Sequence, residues 1–443
     1  MSTATETASA TGADERAKSP FLRRVKVRGF KSISFCDVTL EPLTLLVGRN
    51  ASGKSNFLGS LSFFRDLLAL GADAAVLQHG GETVFSRLNA DRRIAYEIEA
   101  EFPSYQTTCR ASYQVELIPT GHKQAEISRE SLDLTDDSRR LRCGFSAVRG
   151  IVTWNGLEEF AEAYTRGIAS GCSYGTSIRP NYPSIFDHYR PARPLLAVIG
   201  NQPFIDLSGR LQTIECYGFH PDTMRQLQMS FGSPVLERDG RNLARAIEGL
   251  REIDEDGVAR VGAYLREIVD DVESFDVVRL GDYETIGFEL RAPPGHAPLR
   301  LNAANMSDGT LRVLASLVAA FQIQLPIGPG LVAIEEPETS LHPAATRALV
   351  DALDEATLRS QIVLTTHSAD MLDNPTIHPE NVRVVEMVDG QTVIGPVDAA
   401  SVEIVRKKLD TLGGLERQNQ LEPDPDDLDR QRQESRNGQE MPG

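Results

Sequence analysis

One segment of this 443-residue chain combines two glycines, a lysine and a serine at a spacing that suits phosphate binding. It follows an apolar run and precedes a helix-like run. The glycines let the backbone curl around a phosphate, so that amide N–H groups and the helix N-terminus point at it. In this pattern Lys54 reaches the outer phosphates and the Ser55 hydroxyl is a ligand for Mg²⁺. The sequence predicts a nucleotide-binding phosphate loop (Gly48–Ser55), and the predicted binding residues are Gly48, Arg49, Asn50, Ala51, Ser52, Gly53, Lys54, Ser55 and Asn56.

Two acids follow a later apolar stretch that is typical of a buried strand. Gly330 to Ile334 is followed directly by Glu335 and Glu336. A strand that delivers an acid to its carboxyl end, beside a phosphate loop, is how a magnesium-binding carboxylate is placed. We therefore expect Glu335 to hold Mg²⁺, directly or through water, and Glu336 to act as general base on the attacking water. The alternative is a solvated strand end without a chemical role.

A histidine and a helix start complete the set of candidate residues. His367 follows the apolar stretch Gln361 to Leu364 and two threonines, where it could hydrogen-bond the terminal phosphate. A structural role at the strand end is the alternative for this histidine. Ser307-Asp308-Gly309, called the signature turn below, precedes an apolar helix, Leu311 to Gln324, and indicates an N-cap. The free N-terminus of that helix is also an anion site, which could face the phosphate loop of a second subunit.

The elements that must position these residues predict an α/β protein. Phe21 to Leu40 alternates as two strands, and Arg93 to Leu134 contains three more of an antiparallel region. Leu243 to Val269 predicts two amphipathic helices, and Val382 to Gly395 predicts a hairpin. We divide the chain into a disordered tail (1–20), the first part of the head (21–149), an inserted, mainly helical region (150–275), the second part of the head (276–412) and a disordered acidic tail (413–443).

Composition restricts the class of protein. The formal net charge of -17 opposes sequence-independent binding of the bare chain to DNA or to an anionic membrane. The five cysteines form no C-x-x-C pair, which predicts reduced thiols in the cytoplasm. The longest apolar stretch, Val313 to Phe321, is too short to span a bilayer, and the N-terminus lacks the apolar region of a signal peptide. We therefore expect a cytoplasmic protein that has no membrane partner.

Taken together, these motifs resemble ABC-type ATPases of the SMC/RecF/OLD class. They look closest to the stand-alone bacterial AAA family ATPases of anti-phage systems such as Septu, PARIS and OLD-like proteins. The resemblance implies a P-loop fold of ABC type, with an antiparallel β-subdomain, a mostly parallel nucleotide-binding sheet and an inserted helical lobe. The residues that carry it are the phosphate loop, Phe30-Lys31-Ser32, the turn Asp239 to Leu243, Ser307 to Arg312, Ile334 to Glu338 with Leu341-His342-Pro343, and Thr366-His367-Ser368.

The resemblance implies ATP and Mg²⁺ as cofactors and a head-to-tail dimer or higher oligomer. Each ATP would lie between the phosphate loop of one subunit and the signature turn (Ser307, Asp308, Gly309) of the other. Ser340 to His342 would lie at the seam. By the same likeness, Lys31 joins the nucleotide-binding residues, and Gln78 joins the residues that touch Mg²⁺.

Two departures from the family pattern predict slow hydrolysis. Glu335 stands where an aspartate is usual, and Asp308 stands where transporter-type members have a glycine. The short segment after His367 leaves no room for a nuclease domain of about a hundred residues. We therefore expect an ATPase whose ATP-dependent head dimerisation controls a partner effector, such as a nuclease encoded nearby, in anti-phage defence. Two alternatives stay open: a RecF- or SMC-like DNA-repair ATPase that binds DNA directly, and a scaffold that binds ATP structurally.

Overall fold

The computed structural model describes residues 21–86, 92–104, 107–121, 123–136, 138, 140–149, 151–156, 192–200, 202–292, 296–322 and 330–437. The predicted tail 1–20 and the segment 157–191 lie outside the described residues. The described strands are β1 (Leu22–Phe30), β2 (Ile33–Thr39), β3 (Leu43–Val47), β4 (Ile94–Ser104), β5 (Thr107–Gly121), β6 (Gln124–Asp136), β7 (Leu141–Val148), β8 (Ile151–Asn155), β9 (Glu215–Tyr217), β10 (Gln228–Met229), β11 (Val272–Leu280), β12 (Tyr283–Leu290), β13 (Leu299–Asn302), β14 (Leu331–Glu335), β15 (Gln361–Thr366), β16 (Val382–Val388) and β17 (Gln391–Pro396).

The described helices lie mostly before and after the run of strands β4 to β8. They are α1 (Lys54–Leu70), α2 (Ala72–Gln78), α3 (Phe204–Gln212), α4 (Pro221–Met224), α5 (Leu243–Ile253), α6 (Glu255–Ile268), α7 (Asp308–Phe321), α8 (Pro343–Ala356), α9 (Ala369–Leu372), α10 (Ala399–Arg406), α11 (Leu412–Arg417) and α12 (Pro425–Asn437). None of these helices is both long and apolar enough to cross a membrane.

A seven-stranded antiparallel sheet with the order β2-β1-β4-β5-β6-β7-β8 forms one layer. Alternate residues of β4, from Ile94 to Phe102, are buried, because successive side chains of a strand point to opposite faces. The buried face packs against α1, where the Tyr96 hydroxyl donates to the Ser60 carbonyl at 2.9 Å and the Tyr96 and Phe64 ring centroids are 5.1 Å apart. The predicted antiparallel β-subdomain is confirmed.

A six-stranded sheet with the order β17-β16-β3-β15-β14-β9 carries the candidate site. Its strands are parallel except for the β16–β17 hairpin. Along β3, Leu45 and Val47 face the core shared with α7 and α8, whereas Leu46 faces the core shared with α1. Covered parallel sheets produce such continuous apolar strands. The carboxyl ends of β3, β14 and β15 meet at one edge, so the phosphate loop, the acid pair and His367 come together, and the predicted α/β fold is confirmed.

The region 150–275 is more mixed than the sequence pattern predicts. Its helices α5 and α6 pack beside a smaller antiparallel sheet of β10, β11, β12 and β13, which supplies the expected helical lobe. However, Glu215–Tyr217 pairs in parallel with β14 and so belongs to the nucleotide-binding sheet. A strand of three residues is too short to produce a readable alternation, and this one was not predicted.

The prediction of a disordered tail is wrong for residues 413–437, which form α11 and α12. The side chain of Gln431 is 4% exposed and donates to the Ile394 carbonyl at 2.9 Å, while it accepts from the Asp37 N–H at 3.1 Å. Arg28 donates to the carbonyls of Glu434 and Ser435 at the end of α12. Polar contacts hold this helix in place. Because it is not held by an apolar face, its sequence has no apolar periodicity that would have predicted it.

Candidate nucleotide site

The phosphate loop needs glycine at two positions where the backbone passes close to its neighbours. A Cβ atom on Gly48 would lie 2.1 Å from the carbonyl oxygen of Val385. A Cβ atom on Gly53 would lie 1.9 Å from Thr392 Oγ1, and its φ of +106° is in the left-handed region. Because β16 and β17 supply both neighbours, the C-terminal hairpin fixes the shape of the loop.

Lys54 lies inside the curl of this loop. Its ammonium donates to the carbonyls of Gly48 at 2.5 Å and Arg49 at 3.0 Å. Burial lowers the pKa of Lys54, while the carboxylates of Glu336, Glu338 and Glu416 act in the opposite direction. The positive charge of the Lys54 ammonium therefore lies within the loop, near three carboxylates, at the place where a phosphate would bind.

A separate observation, an unpaired buried hydroxyl, also supports a bound nucleotide at this loop. The hydroxyl oxygen of Ser52 is buried and has no hydrogen-bond partner among the described residues. Buried polar groups of this kind are otherwise nearly always paired. Residues 50–56 and Glu336 line a cleft of about 490 Å³, which lies within the range for small-molecule sites. The residues present thus suit a phosphate-bearing ligand.

Two of the three residues predicted to bind magnesium, Ser55 and Glu335, are in contact. Ser55 Oγ donates to Glu335 Oε2 at 2.9 Å. The glutamate side chain, one methylene longer than the usual aspartate, therefore still contacts the serine. Arg238 Nη2 lies 4.0 Å from Glu335 Oε1. Hydroxyl and carboxylate oxygens, completed by phosphate oxygens and water, are the ligands that Mg²⁺ takes. Bound between Ser55 and Glu335, Mg²⁺ would neutralise charge on the phosphates.

The predicted base and the predicted phosphate sensor are neighbours. Glu336 has a φ of 42°, and its N–H donates to both the carbonyl and the hydroxyl oxygen of Thr365 at 3.1 Å. His367 Nδ1 lies 3.6 Å from Glu336 Oε1. The carboxylate lines the cleft at the phosphate loop, where it could hold an attacking water, and the imidazole can orient that carboxylate.

One buried acid of the site was not predicted. Glu338 is 6% exposed, it accepts a hydrogen bond from Thr366 Oγ1, and its other oxygen has no partner among the described residues. Burial raises the pKa of Glu338 above its ordinary value. The contact joins the turn after β14 to the residue before His367. The position of Glu338 within Glu335-Glu336-Pro337-Glu338 was the available signal.

The signature turn caps α7 and lies against a second exposed turn. Ser307 Oγ accepts from the Thr310 N–H at 3.1 Å, as predicted for an N-cap. Asp308 forms an ion pair with Arg225. A Cβ atom on Gly309 would lie 2.7 Å from the Ser340 carbonyl oxygen. Ser307, Asp308 and Ser340 are exposed, and none of these described contacts reaches the phosphate loop of the same chain.

Two predicted binding residues flank the loop. Asn56 Nδ2 donates to Ser32 Oγ at 2.6 Å, and that hydroxyl lies 2.7 Å from Thr392 Oγ1. Lys31 has a φ of 48°. Burial lowers the pKa of Lys31; the positive charge of Arg238 lowers it further, and the negative charge of Glu335 acts against this shift. The turn at Lys31 therefore borders the magnesium side of the site, and its role in nucleotide binding stays a prediction.

Gln78 is not brought to the site by any described contact. It is exposed at the end of α2, next to His79, whose ring is hydrogen-bonded to Asp66 at 2.7 Å. Asp66 lies twelve residues after Lys54 on α1, which corresponds to about 18 Å of helix. The proposed magnesium contact of Gln78 stays a prediction.

Two parts of the chain match family models. Residues 21–140, which contain the phosphate loop, match a model described as "AAA ATPase domain". Residues 269–373, which contain the signature turn, the acid pair and His367, match a model described as "AAA domain, putative AbiEii toxin, Type IV TA system". These matches support an ATPase class for the chain. The comparison with curated proteins gave no match.

The chain is also similar to solved SMC head structures at low identity. One is the SMC head bound to the C-winged helix domain of ScpA, with 15% identity, 86% of this chain and 99% of that chain covered, and a TM-score of 0.48. The SMC head domain from Thermotoga maritima has 14% identity, covers 86% of this chain and all of its own, and has a TM-score of 0.40.

Proposed function

We propose that this chain binds ATP with Mg²⁺ at the phosphate loop and hydrolyses it slowly, and that two copies associate head to tail over the nucleotides. Lys54 holds the outer phosphates, Ser55 and Glu335 hold the metal, and Glu336 activates the attacking water. His367, whose ring lies beside Glu336, hydrogen-bonds the terminal phosphate. The ATPase class, at the level of the family, rests on the two family matches.

The observation that carries the dimer is the separation of two exposed surfaces. The cleft at the phosphate loop contains the base and the lysine, whereas the signature turn is exposed elsewhere and packs on Ser340. A helix N-terminus with free N–H groups binds anions. A second copy can supply that helix end to the terminal phosphate, which the chain's own described contacts do not do.

We further propose that the ATP-bound pair controls a partner effector, such as a nuclease, in anti-phage defence. One of the two matching family descriptions names a toxin of a type IV toxin–antitoxin system, which supports an effector setting. The net charge of -17 favours a basic partner protein. Direct binding to DNA is the competing proposal, and it requires a local basic track on this acidic chain.

The dimer is tested with Ser307→Arg, and Ser146→Arg on the exposed face of β7 serves as a matched control. Arginine at 307 introduces a bulky side chain where the partner's phosphates must approach. We expect Ser307→Arg to bind ATP but to lose nucleotide-dependent dimerisation in light scattering, with turnover reduced at least about tenfold. Ser146→Arg should behave as wild type. Full turnover by a protomer that stays monomeric would exclude the dimeric site.

The effector is tested by co-purification with the product of the neighbouring gene, with and without ATP. Nucleotide-dependent association, together with an absence of DNA cleavage by the pure chain, is the expected result. Duplex binding by the isolated protein that is stimulated by ATP and weakened by salt would favour the DNA-repair alternative.

A further inference from the structure

The C-terminal segment forms one wall of the phosphate loop. Arg49 Nη2 donates to Asn419 Oδ1 at 3.0 Å, so the turn after α11 is tied to the loop directly. A cavity of about 360 Å³ lies between them. Its lining comprises Gly48 to Ser52, Val384 to Met387, Glu416, Asn419, Leu421 and Glu422.

The same segment is anchored to the helix that follows His367. Arg417 pairs with Asp370 at 2.7 Å and with Asp373 at 2.8 Å. A Cβ atom on Gly413 would lie 2.3 Å from the Ala369 carbonyl oxygen, so α11 and α9 are in close contact. The position of α11 is therefore fixed from two sides, by the phosphate loop through Asn419 and by the helix that follows His367.

This anchoring places Glu416 in the wall of the cavity that the phosphate loop also lines. Glu416 is half-buried at the loop and interacts electrostatically with Lys54, Arg49 and His367. Burial raises the pKa of Glu416, and those three groups oppose the rise. Like charges that are partly withdrawn from water repel each other more strongly than exposed ones, and a triphosphate carries more negative charge at this place than a diphosphate.

We propose that Glu416 is a specificity-determining residue of the nucleotide site, because its carboxylate opposes the terminal phosphate and so weakens binding of ATP more than binding of ADP. The inference rests on the proposed ATP site and adds a function to a segment that follows the motif-bearing part of the chain. A bound triphosphate brings its negative charge close to this acid, which makes the C-terminal segment responsive to the bound nucleotide.

The test compares dissociation constants of Mg-ATP and Mg-ADP by calorimetry on the full chain. Glu416→Gln keeps the shape of the side chain and removes the charge. We expect ATP to bind about five times more tightly and ADP to change less than about twofold. Glu422→Gln, which removes a charge from the same cavity without an interaction with Lys54, is the matched control, and it should change both constants less than about twofold.

A second variant tests the proposed effect of Glu416 on ATP binding without changing residue 416. Arg417→Ala removes the ion pairs to α9, so α11 can move away from the loop, and ATP should again bind more tightly while ADP changes little. Equal effects on ATP and ADP, or no effect in either variant, would overturn the inference. If the wild-type chain binds neither nucleotide, the proposed function fails instead.

Discussion

Glu336 and Ser340 adopt backbone conformations that L-residues rarely take, with φ angles of 42° and 73°. Strained residues cluster at functional sites, where the surrounding structure holds them in place. Here the two hydrogen bonds from the Glu336 N–H to Thr365 hold the first of them. The turn between the two residues therefore has a fixed shape, which aims the candidate base at the cleft and presents Ser340 to the surface.

Glu336→Gln should separate binding from hydrolysis. An amide keeps the size of the side chain but cannot accept the proton of the attacking water, so we expect turnover to fall about 10²- to 10⁴-fold while ATP still binds. Single-turnover hydrolysis and equilibrium binding measure the two effects. Glu252→Gln, on the exposed face of α5, should leave both unchanged. Hydrolysis at the wild-type rate would remove Glu336 from the mechanism.

Glu338 should make the stability of the protein depend on pH. Because burial raises its folded-state pKa, the native state keeps a proton that the unfolded chain releases, and stability falls as pH rises through that range. Glu338→Gln lacks this contribution. We expect the melting temperature of Glu338→Gln to improve relative to wild type as the pH rises above the ordinary pKa of a glutamate, 4.5. Parallel melting curves across this range would contradict the assignment.

Linear motifs identified the residues whose chemistry depends on their neighbours in sequence. Lys54, Ser55 and Glu335 were predicted, and the structure places Ser55 and Glu335 in contact. The motif placed Glu338 next to the acid pair but did not predict its burial, and the role proposed for Glu416 depends on packing against distant segments. No spacing rule reports that a carboxylate oxygen lacks a partner.

At the scale of elements, α7 and the turn that ends at Ser340 act as one surface. The absence of a side chain on Gly309 allows the helix to approach the Ser340 carbonyl closely. The same turn begins at the acid pair, so one short turn joins the residues of the proposed metal site to the signature turn. This short path connects the two surfaces that the proposed dimer uses.

Gly309→Ala should disturb this surface. The new Cβ would lie 2.7 Å from the Ser340 carbonyl oxygen, and relieving such overpacking costs about 1–3 kcal/mol. We expect lower stability in urea and weaker dimerisation. Gly262→Ala on α6 is the control, since its Cβ finds its nearest atoms at 3.8 Å and alanine favours a helix by about 0.5–1 kcal/mol. Equal stability of the two variants would show that the close contact is unimportant.

Most elements of the two large sheets could be predicted from hydrophobic alternation and continuous apolar runs. The boundaries of β14, β15 and the β16–β17 hairpin agree with the sequence pattern within a few residues. Prediction failed for β9, which is three residues long, and for α12, whose residues are mostly polar. These two elements bury too little apolar surface to leave a period in the sequence. No strand was predicted at β7 or β8 of the antiparallel sheet.

At the scale of the whole molecule, α12, the last described helix, packs against the first strands of the chain. Gln431 bonds to Asp37 and to Ile394, and Lys26 pairs with Glu434 at 3.1 Å. Helix α12, in the segment expected to be disordered, therefore connects the N-terminal sheet to the C-terminal hairpin. That hairpin also shapes the phosphate loop.

Gln431→Ala should weaken this closure. The Asp37 N–H would lose its buried acceptor, and leaving such a group unsatisfied costs about 1–3 kcal/mol. We expect a lower unfolding midpoint in urea and faster proteolysis at the C-terminus. Gln433→Ala, on the exposed side of the same helix, should unfold like wild type. If both variants unfold alike, α12 contributes nothing to global stability.

The strand that leads into the phosphate loop has both of its neighbours in the last quarter of the chain. β3 pairs with β15 and β16, more than 300 residues later by their numbering. During synthesis the nascent segment from Leu43 to Val47 therefore has no parallel partner until residues 361–388 have left the ribosome. Topologies dominated by such distant pairings fold slowly and expose their apolar strands meanwhile. This protein thus completes its nucleotide-binding sheet late, and β3 stays without its two parallel neighbours for most of the synthesis of the chain.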